Sequence, residues 1–291
     1  MRSIARKLLA LGAGAAVVGG ALAAYARYIE PTRVKIERVT LDLPISADAL
    51  DGMTIGFLTD LHVGPFTSLS RIESGIELLL NERPDLLLLG GDYHSESPRY
   101  LPGVAELLGR YADAAPLGMI GVMGNHDYAV SGEQTYDVFA AAGIKLLRNE
   151  AVEIQYGESS LWVVGIDDTL LGTVDALSAF APVPDGAPAL ALWHEPFHAE
   201  HAAELGAFAM LSGHTHGGQV RLPVIGPMAV PKHGKRFVIG KNQVNGMQVY
   251  TSRGQGMYRP PLRFNCPPEV TLVTLVAHQR TSGIASNGIT R

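Results

Sequence analysis

Thiols are almost absent from this chain, with one cysteine, Cys266, in 291 residues. That excludes an internal disulfide and any metal site built from several thiolates, and soft-metal chemistry with it. Positive charge is also short: 23 Lys and Arg stand against 28 Asp and Glu, for a net charge of -5. Basic residues that are scattered and outnumbered form no nucleic-acid-binding surface. There is no internal repeat. What the chain does have is apolar content. At 47% hydrophobic residues it can bury a sizeable core in one large domain or two small ones.

The first forty residues differ from the rest. Leu8 to Ala26 is a run of nineteen residues without a charge, preceded by Arg2, Arg6 and Lys7. That is about the length of a bilayer core, so a membrane anchor is the leading expectation. The competing readings are a cleavable export signal, given the small-residue triplets "ALA" and "AYA", and a buried helix, which the glycines disfavour. Arg27, Arg33, Lys35 and Arg38 on the far side match the basic residues on the near side, so charge alone does not set the topology. The short basic head points to export, with the main domain outside the cytoplasm. "ARKLL" resembles a twin-arginine signal but carries Arg6-Lys7 in place of two arginines.

From about Thr54 onward, short β-type runs alternate with helix-like segments. "TIGFL", "DLLLL", "GMIGVM", "LWVVGI", "ALALW" and "AFAML" are too short for typical helices and are bounded by Gly, Pro or Asp. Between them, segments such as "SRIESGIELLLNERP" and "EQTYDVFAAAG" carry apolar residues at three-to-four spacing. This order predicts an α/β fold with helices packed on mixed or parallel sheets. "GMQVYTS" and "EVTLVTLVA" follow without intervening helices, which suggests a second sheet layer.

Ligands in open α/β sheets bind beyond the carboxyl ends of strands, and the unusual residues of this chain fall there repeatedly. The predicted strands run into Asp60 and His62, into Asp92, into Asn125, His126 and Asp127, into His194, and into His214 and His216. Singly, each has an ordinary explanation as a helix cap, a turn residue or a satisfied histidine. Together they make a cluster of carboxylates and imidazoles that would be costly to bury unless cations coordinated it. Carboxylate, imidazole and amide oxygen without thiolate suit divalent Mn, Fe or Zn. More than six donors are available, so two ions are expected.

The ordered blocks "D-x-H", "GD", "GNHD", a lone His and "GHTH" resemble those of the calcineurin-like metallophosphoesterases. The likeness runs from about Thr54 to Ala277 and is specific, because five motifs recur in order. "SGHTHGGQ", "SRGQGMYRPPLRFNCPPE" and the hydrophobic N-terminus resemble the membrane-associated or exported bacterial branch of phosphodiesterases. The resemblance implies a four-layer α/β/β/α sandwich of two mixed β-sheets with flanking helices, preceded by the N-terminal hydrophobic helix. The chain then divides into an anchor or signal segment (1–28), a connecting strand region (29–53), the metallophosphoesterase domain (54–278) and a flexible tail (279–291).

Carried over by residue, the resemblance gives Asp60, His62, Asp92 and His216 to one ion and Asp92, Asn125, His194 and His214 to the other, with Asp92 shared. His126 becomes the proton donor facing the phosphate, and Asp127 its orienting partner. Two such ions lower the pKa of a water between them and clamp the attacking and leaving oxygens. Alternate residues of an extended segment point to opposite sides, so His214 and His216 are expected to reach different ions. Gly213, Gly217 and Gly218 let the backbone approach closely.

The implied function is phosphoester hydrolysis on a cell-envelope or lipid-linked substrate. The implied place is the bacterial cytoplasmic membrane with the catalytic domain on its outer face, the alternatives being release after cleavage or a cytoplasmic orientation. Some relatives hydrolyse the pyrophosphate of UDP-2,3-diacylglucosamine, and that is the alternative substrate. A non-catalytic metal-binding scaffold is the alternative of another class.

Other polar residues lie outside the motifs. Asp167 and Asp168 read as supporting or capping carboxylates. His94 borders the motif block, and His198, His201 and His278 read as surface residues. Lys232, His233, Lys235, Arg236 and Lys241 form a basic loop, either solvated or holding a phosphate or lipid head group. Ser95 stands where purple acid phosphatases carry a tyrosine ligand, which argues against an iron-tyrosinate centre.

Overall fold

The computed structural model describes residues 2–277, with side chains from Gly12 onward. The alternating apolar runs become two six-stranded mixed sheets. The first holds β1 (Lys35–Asp42), β2 (Thr54–Leu58), β3 (Leu86–Leu89), β4 (Met119–Gly121), β5 (Lys145–Leu146) and β14 (Glu269–Val276), in the order β1-β14-β2-β3-β4-β5. The second holds β6 (Glu150–Tyr156), β7 (Ser159–Gly165), β8 (Ala189–Leu192), β9 (Ala209–Ser212), β12 (Gly240–Val244) and β13 (Met247–Thr251), in the order β12-β13-β9-β8-β7-β6. A two-residue pair, β10 (Arg221–Leu222) with β11 (Gly226–Pro227), forms a separate hairpin.

Side-chain alternation along the strands sorts the core into layers. Leu86 and Leu88 face the second sheet, where they share a cluster with Leu161, Val163, Leu190, Leu192 and Leu211. Leu87 and Leu89 face the other way, onto α2 (Leu69–Leu80), α3 (Leu101–Gly109) and α5 (Gln134–Ala141) through Ile72, Ile76, Val104, Leu108 and Phe139. The outer face of the second sheet, including Val164, Ala191 and Met210, packs on α6 (Ala176–Phe180) and α7 (Ala199–Glu204). The result is helix, sheet, sheet, helix.

Strands β2, β3, β4 and β5 run parallel, as do β7, β8, β9 and β13. The carboxyl ends of β2, β3, β4, β8 and β9 therefore open toward one edge of the sandwich. Within the connecting strand region, Lys35–Asp42 pairs in parallel along its whole length with β14 and closes the first sheet. Helix α1 spans Arg2–Ala24 and continues into a wider π-helical turn, Tyr25–Ile29, before Pro31. Among the described residues no helix is long and apolar enough to cross a membrane. The expected transmembrane helix thus finds no support here; the side chains up to Leu11, which open the Leu8–Ala26 run, lie outside the described residues. So do His278 and the tail.

Candidate metal centre

Each motif follows a strand, and hydrogen bonds between the loops stitch the strand ends together. The amides of Asp60 and His62 donate to the carbonyls of Gly91 and Asp92 at 2.9 Å each, and Gly213 donates to the His194 carbonyl at 3.0 Å. Five of the converging residues, Asp60, His62, Asp92, His214 and His216, hold left-handed backbone with φ between 43° and 68°. Such conformations are uncommon outside glycine and cluster at functional sites. Close approach is part of the design at Gly213, where a Cβ would collide with the Asp60 carboxylate and the Thr59 hydroxyl. At Gly217 (φ 61°) it would meet Arg253 and Cys266 at 2.8 Å.

Asp60, His62, Asp92 and His216 bring one ligand atom each to within 4.8 Å of one another, all buried. The Nε2 atoms of His62 and His216 face each other at 2.9 Å, and His216 Nε2 lies 3.2 Å from Asp60 Oδ1. A second buried group contains His194, Glu195 and His214, and Asn125 Oδ1 joins it at 2.9 Å from His214 Nδ1. Asp92 stands between the two. Its Oδ2 lies 3.4 Å from His62 Nε2 and 3.2 Å from His194 Nε2, while Oδ1 accepts the His126 amide at 2.8 Å.

The donor set fits a pair of divalent cations. Burial pushes the His62 and His214 imidazoles down to about 3, and His216 well below the usual range for histidine. All three are therefore neutral, the form that coordinates a metal. Buried nitrogens without a partner include His62 Nδ1, His194 Nε2, His214 Nε2 and His216 Nδ1. His194 Nδ1 lies 2.6 Å from the Gly90 carbonyl. Since a carbonyl only accepts, that nitrogen carries the proton and Nε2 is turned toward the site. Burial, with the Asp92 charge adding to it, pushes Asp60 up to about 7 against the opposing influence of His194, a strain that a cation would relieve. Burial also works against the charges on Asp92 and His194, yet their attraction wins: Asp92 is held well below the carboxylate range and His194 well above that of histidine.

His126 lies at the rim of this cluster. Its ring meets that of His62 edge-on at 4.9 Å and tilts against Tyr258 at 4.2 Å. It also lines a cavity of about 600 Å³. Asp92, Asn125, His126, His214 and His216 line that cavity together with the apolar Val220, Met228, Val230, Pro260 and Leu262.

Two expectations need correction. Asp127 has no bond to the His126 ring. Its carboxylate accepts the amides of Asp92 and Tyr93 at 2.8 Å and of Gly124 at 3.0 Å, and it meets His94 Nδ1 at 3.2 Å. It sits at the third position of α4 (Asn125–Val130), where a carboxylate turns back to cap the helix start. The second correction concerns "SGHTHGG", which is not extended. His214 and His216 are directed to different groups by left-handed turns, which strand alternation would not require.

Glu195 was not singled out from the sequence. Its only signal was its place directly after His194. Burial, reinforced by the neighbouring Asp168 carboxylate, pushes its carboxyl well up. Tyr258, held by Gln219 through bonds to its amide and carbonyl, was also missed. Asp168 Oδ1 accepts the amides of Leu170, Leu171 and Gly172, and Asp167 accepts Tyr128 Oη and the Thr173 amide, so both serve to cap and brace. His94 is buried between Asp127 and Ser131. Tyr93 Oη donates to the Val122 carbonyl in the core, away from the site. In the basic loop, Arg236 pairs with Glu200 and Lys241 with Asp42.

Comparison with known proteins agrees with this geometry. The profile of the calcineurin-like phosphoesterase family matches residues 53–218. The metallophosphoesterase YkuE of Bacillus subtilis is 32% identical over 91% of this chain and 93% of its own. The phosphodiesterase YaeI of Escherichia coli is 35% identical over 87% of this chain and 92% of its own. More distant, at 23% over 86% and 91%, is the UDP-2,3-diacylglucosamine pyrophosphatase LpxG of Chlamydia trachomatis. With the two sheets, the ordered motifs and the buried His/Asp clusters in agreement, this chain belongs to the calcineurin-like phosphoesterase family.

Proposed function

We propose that this metallophosphoesterase hydrolyses phosphoesters whose non-reacting part is apolar, on cell-envelope or lipid-linked substrates. We further propose that Leu8–Ala26 holds it at the cytoplasmic membrane with the catalytic domain on the outer face. The observation that carries the reading is Asp92 Oδ2, poised between His62 and His194 where two buried ligand groups meet, beside a cavity lined both by polar groups of the centre and by apolar side chains. Asp60, His62, Asp92 and His216 would hold one divalent ion and Asp92, Asn125, His194 and His214 the other, with Glu195 in reach of the second. When bound, such a pair supplies charge to the phosphoryl oxygens and acidifies water at the site.

The chain's own residues do the rest. His126, fixed through its backbone by Asp92 and flanked by Tyr258, donates a ring proton to the departing ester oxygen. The apolar lining residues receive the substrate's carbon chain and exclude water from the reacting centre. A non-catalytic scaffold needs neither an imidazole at the rim nor a cavity leading to it. The apolar lining equally suits UDP-2,3-diacylglucosamine, on which LpxG is named to act, and that reading requires the site to face the cytoplasm.

Assays with bis-p-nitrophenyl phosphate, p-nitrophenyl phosphate and UDP-2,3-diacylglucosamine, with and without Mn, separate these readings. Chelator and Asp92→Asn should abolish turnover. His126→Ala should cost about 10²–10⁴-fold in kcat with metal content unchanged. Full turnover in Asp92→Asn would overturn the proposal.

A further inference from the structure

The β10–β11 hairpin does something the fold does not require. Its tip carries Val224 fully exposed, Ile225 72% exposed and, just beyond, Met228 58% exposed. Val224 also holds left-handed backbone, φ 69°, which is unfavourable for a β-branched side chain and suits Gly or Asn. A polar or glycine tip would relieve the strain and the exposure together. Both persist at a tip that no other part of the described chain covers.

The surroundings identify what covers it. No Asp or Glu occurs between Glu204 and Glu269, in a chain that is acidic as a whole. Of the basic residues in that stretch, Arg253, Arg236, Lys241 and Arg259 pair with carboxylates, Arg221 donates to the Gly217 carbonyl, and Arg263 is buried on backbone carbonyls. Lys232 and Lys235 are exposed on the loop after the hairpin, with no acidic partner among the described residues. Apolar side chains flanked by free lysines complement an anionic lipid surface.

The hairpin is also continuous with the end of the N-terminal helix. Phe264 donates to the Gln219 carbonyl and accepts from the Arg221 amide at 2.9 Å each, and its ring meets Tyr25 at 6.4 Å. The Arg263 amide donates to the Ala26 carbonyl at 2.9 Å. Val220 and Met228, which bracket the hairpin, line the cavity.

We propose that the hairpin and the loop following it dock on an anionic bilayer, inserting Val224 and Ile225 so that the cavity mouth opens at the lipid interface. Docking deepens the membrane reading above and rests on it only for the lipid substrate. It predicts a second membrane contact, separate from α1.

The test uses the full chain in phosphatidylglycerol nanodiscs, with an environment-sensitive fluorophore placed singly at Val224→Cys, Leu22→Cys or Glu158→Cys. Cys266 is buried, and Glu158 lies on the β6–β7 turn, at the opposite strand ends from the metal centre. Nitroxide-bearing acyl chains should quench the probe at 224 and leave that at 158 unquenched. Quenching at 22 without quenching at 224 overturns hairpin docking and leaves the anchor standing. Quenching at 224 alone upholds docking and overturns the anchor, and quenching at neither overturns both. The double variant Val224→Asn with Ile225→Ser should fold normally and keep its turnover of bis-p-nitrophenyl phosphate. It should lose about tenfold in kcat/KM on a bilayer-embedded phosphodiester. An equal loss on both substrates would overturn the docking role.

Discussion

Asp127 shows how one side chain can serve a metal site without itself being a ligand. Its two oxygens accept three amides from the loops after β3 and β4, including that of Asp92 itself. They therefore fix where the shared carboxylate stands. Asp127→Asn replaces one acceptor with an NH₂ group that faces N–H donors. Hydrogen bonds to a charged group are worth about 1.5–3 kcal/mol each, so about 2–5 kcal/mol of stability should be lost. Denaturation midpoints measure this, and metal content should fall with them. A variant of wild-type stability whose kcat alone is reduced would restore the role of orienting His126. The motif residues themselves were legible, because their types are rare at strand ends and five blocks recur in order. The partners of Asp127 were not, since "NHD" places it beside His126 in sequence while the capping turn of α4 aims its carboxylate back at Gly91-Asp92-Tyr93. Glu195 was hidden for a similar reason: one carboxylate after a histidine carries no spacing signal.

At the level of elements, the segment between β13 and β14 positions the site from behind. The amides of Gln255 and Gly256 donate to the carbonyls of Thr59 and Asp60, and a Cβ at Gly254 would strike Asp60. Arg263, fully buried, holds this segment by donating to the carbonyls of Arg253, Gly254, Gly256 and Cys266. A lysine ammonium has three donors and no planar fork, so Arg263→Lys leaves carbonyls orphaned. At about 1–3 kcal/mol for each unsatisfied buried group, the urea midpoint should drop by the equivalent of about 3 kcal/mol with an unchanged slope. A wild-type midpoint would mean that the loop needs no such clamp. Strands β2, β3, β4, β7, β8, β9, β13 and β14 were readable as short apolar runs between turn residues. β1 was expected only as part of a connecting strand region, and β6 was missed: "KIERVTLD" and "EAVEIQY" lie at sheet edges, half-exposed and rich in charge, and the alternation of Val152, Ile154 and Tyr156 is short and interleaved with charged and polar residues. The helix at Asn125–Val130 was masked by its own motif.

For the molecule as a whole, the question is what the ions stabilise. The inter-sheet cluster, with Leu86 and Leu88 on one side and Val163, Leu190 and Leu211 on the other, contains none of the metal-site residues, so the sandwich holds together without them. The loops at the strand ends do not share that independence, because they bury Asp60, Asp92 and four imidazoles in one place. Each ion present at about 100 times its dissociation constant adds about 2.7 kcal/mol to the folded state. At roughly 2–4 °C per kcal/mol for a chain of this size, stripping both ions should lower the melting temperature by about 10–20 °C. Far-UV circular dichroism should stay at its holo amplitude at 25 °C, and amide exchange should rise in the loops after β2, β3, β4, β8 and β9 before it rises in the strands. Identical melting with chelator and with Mn would show that no ion binds the folded state. A chelated chain that lost its sheet signal would mean that the ions, and not the apolar layer, hold the two sheets together.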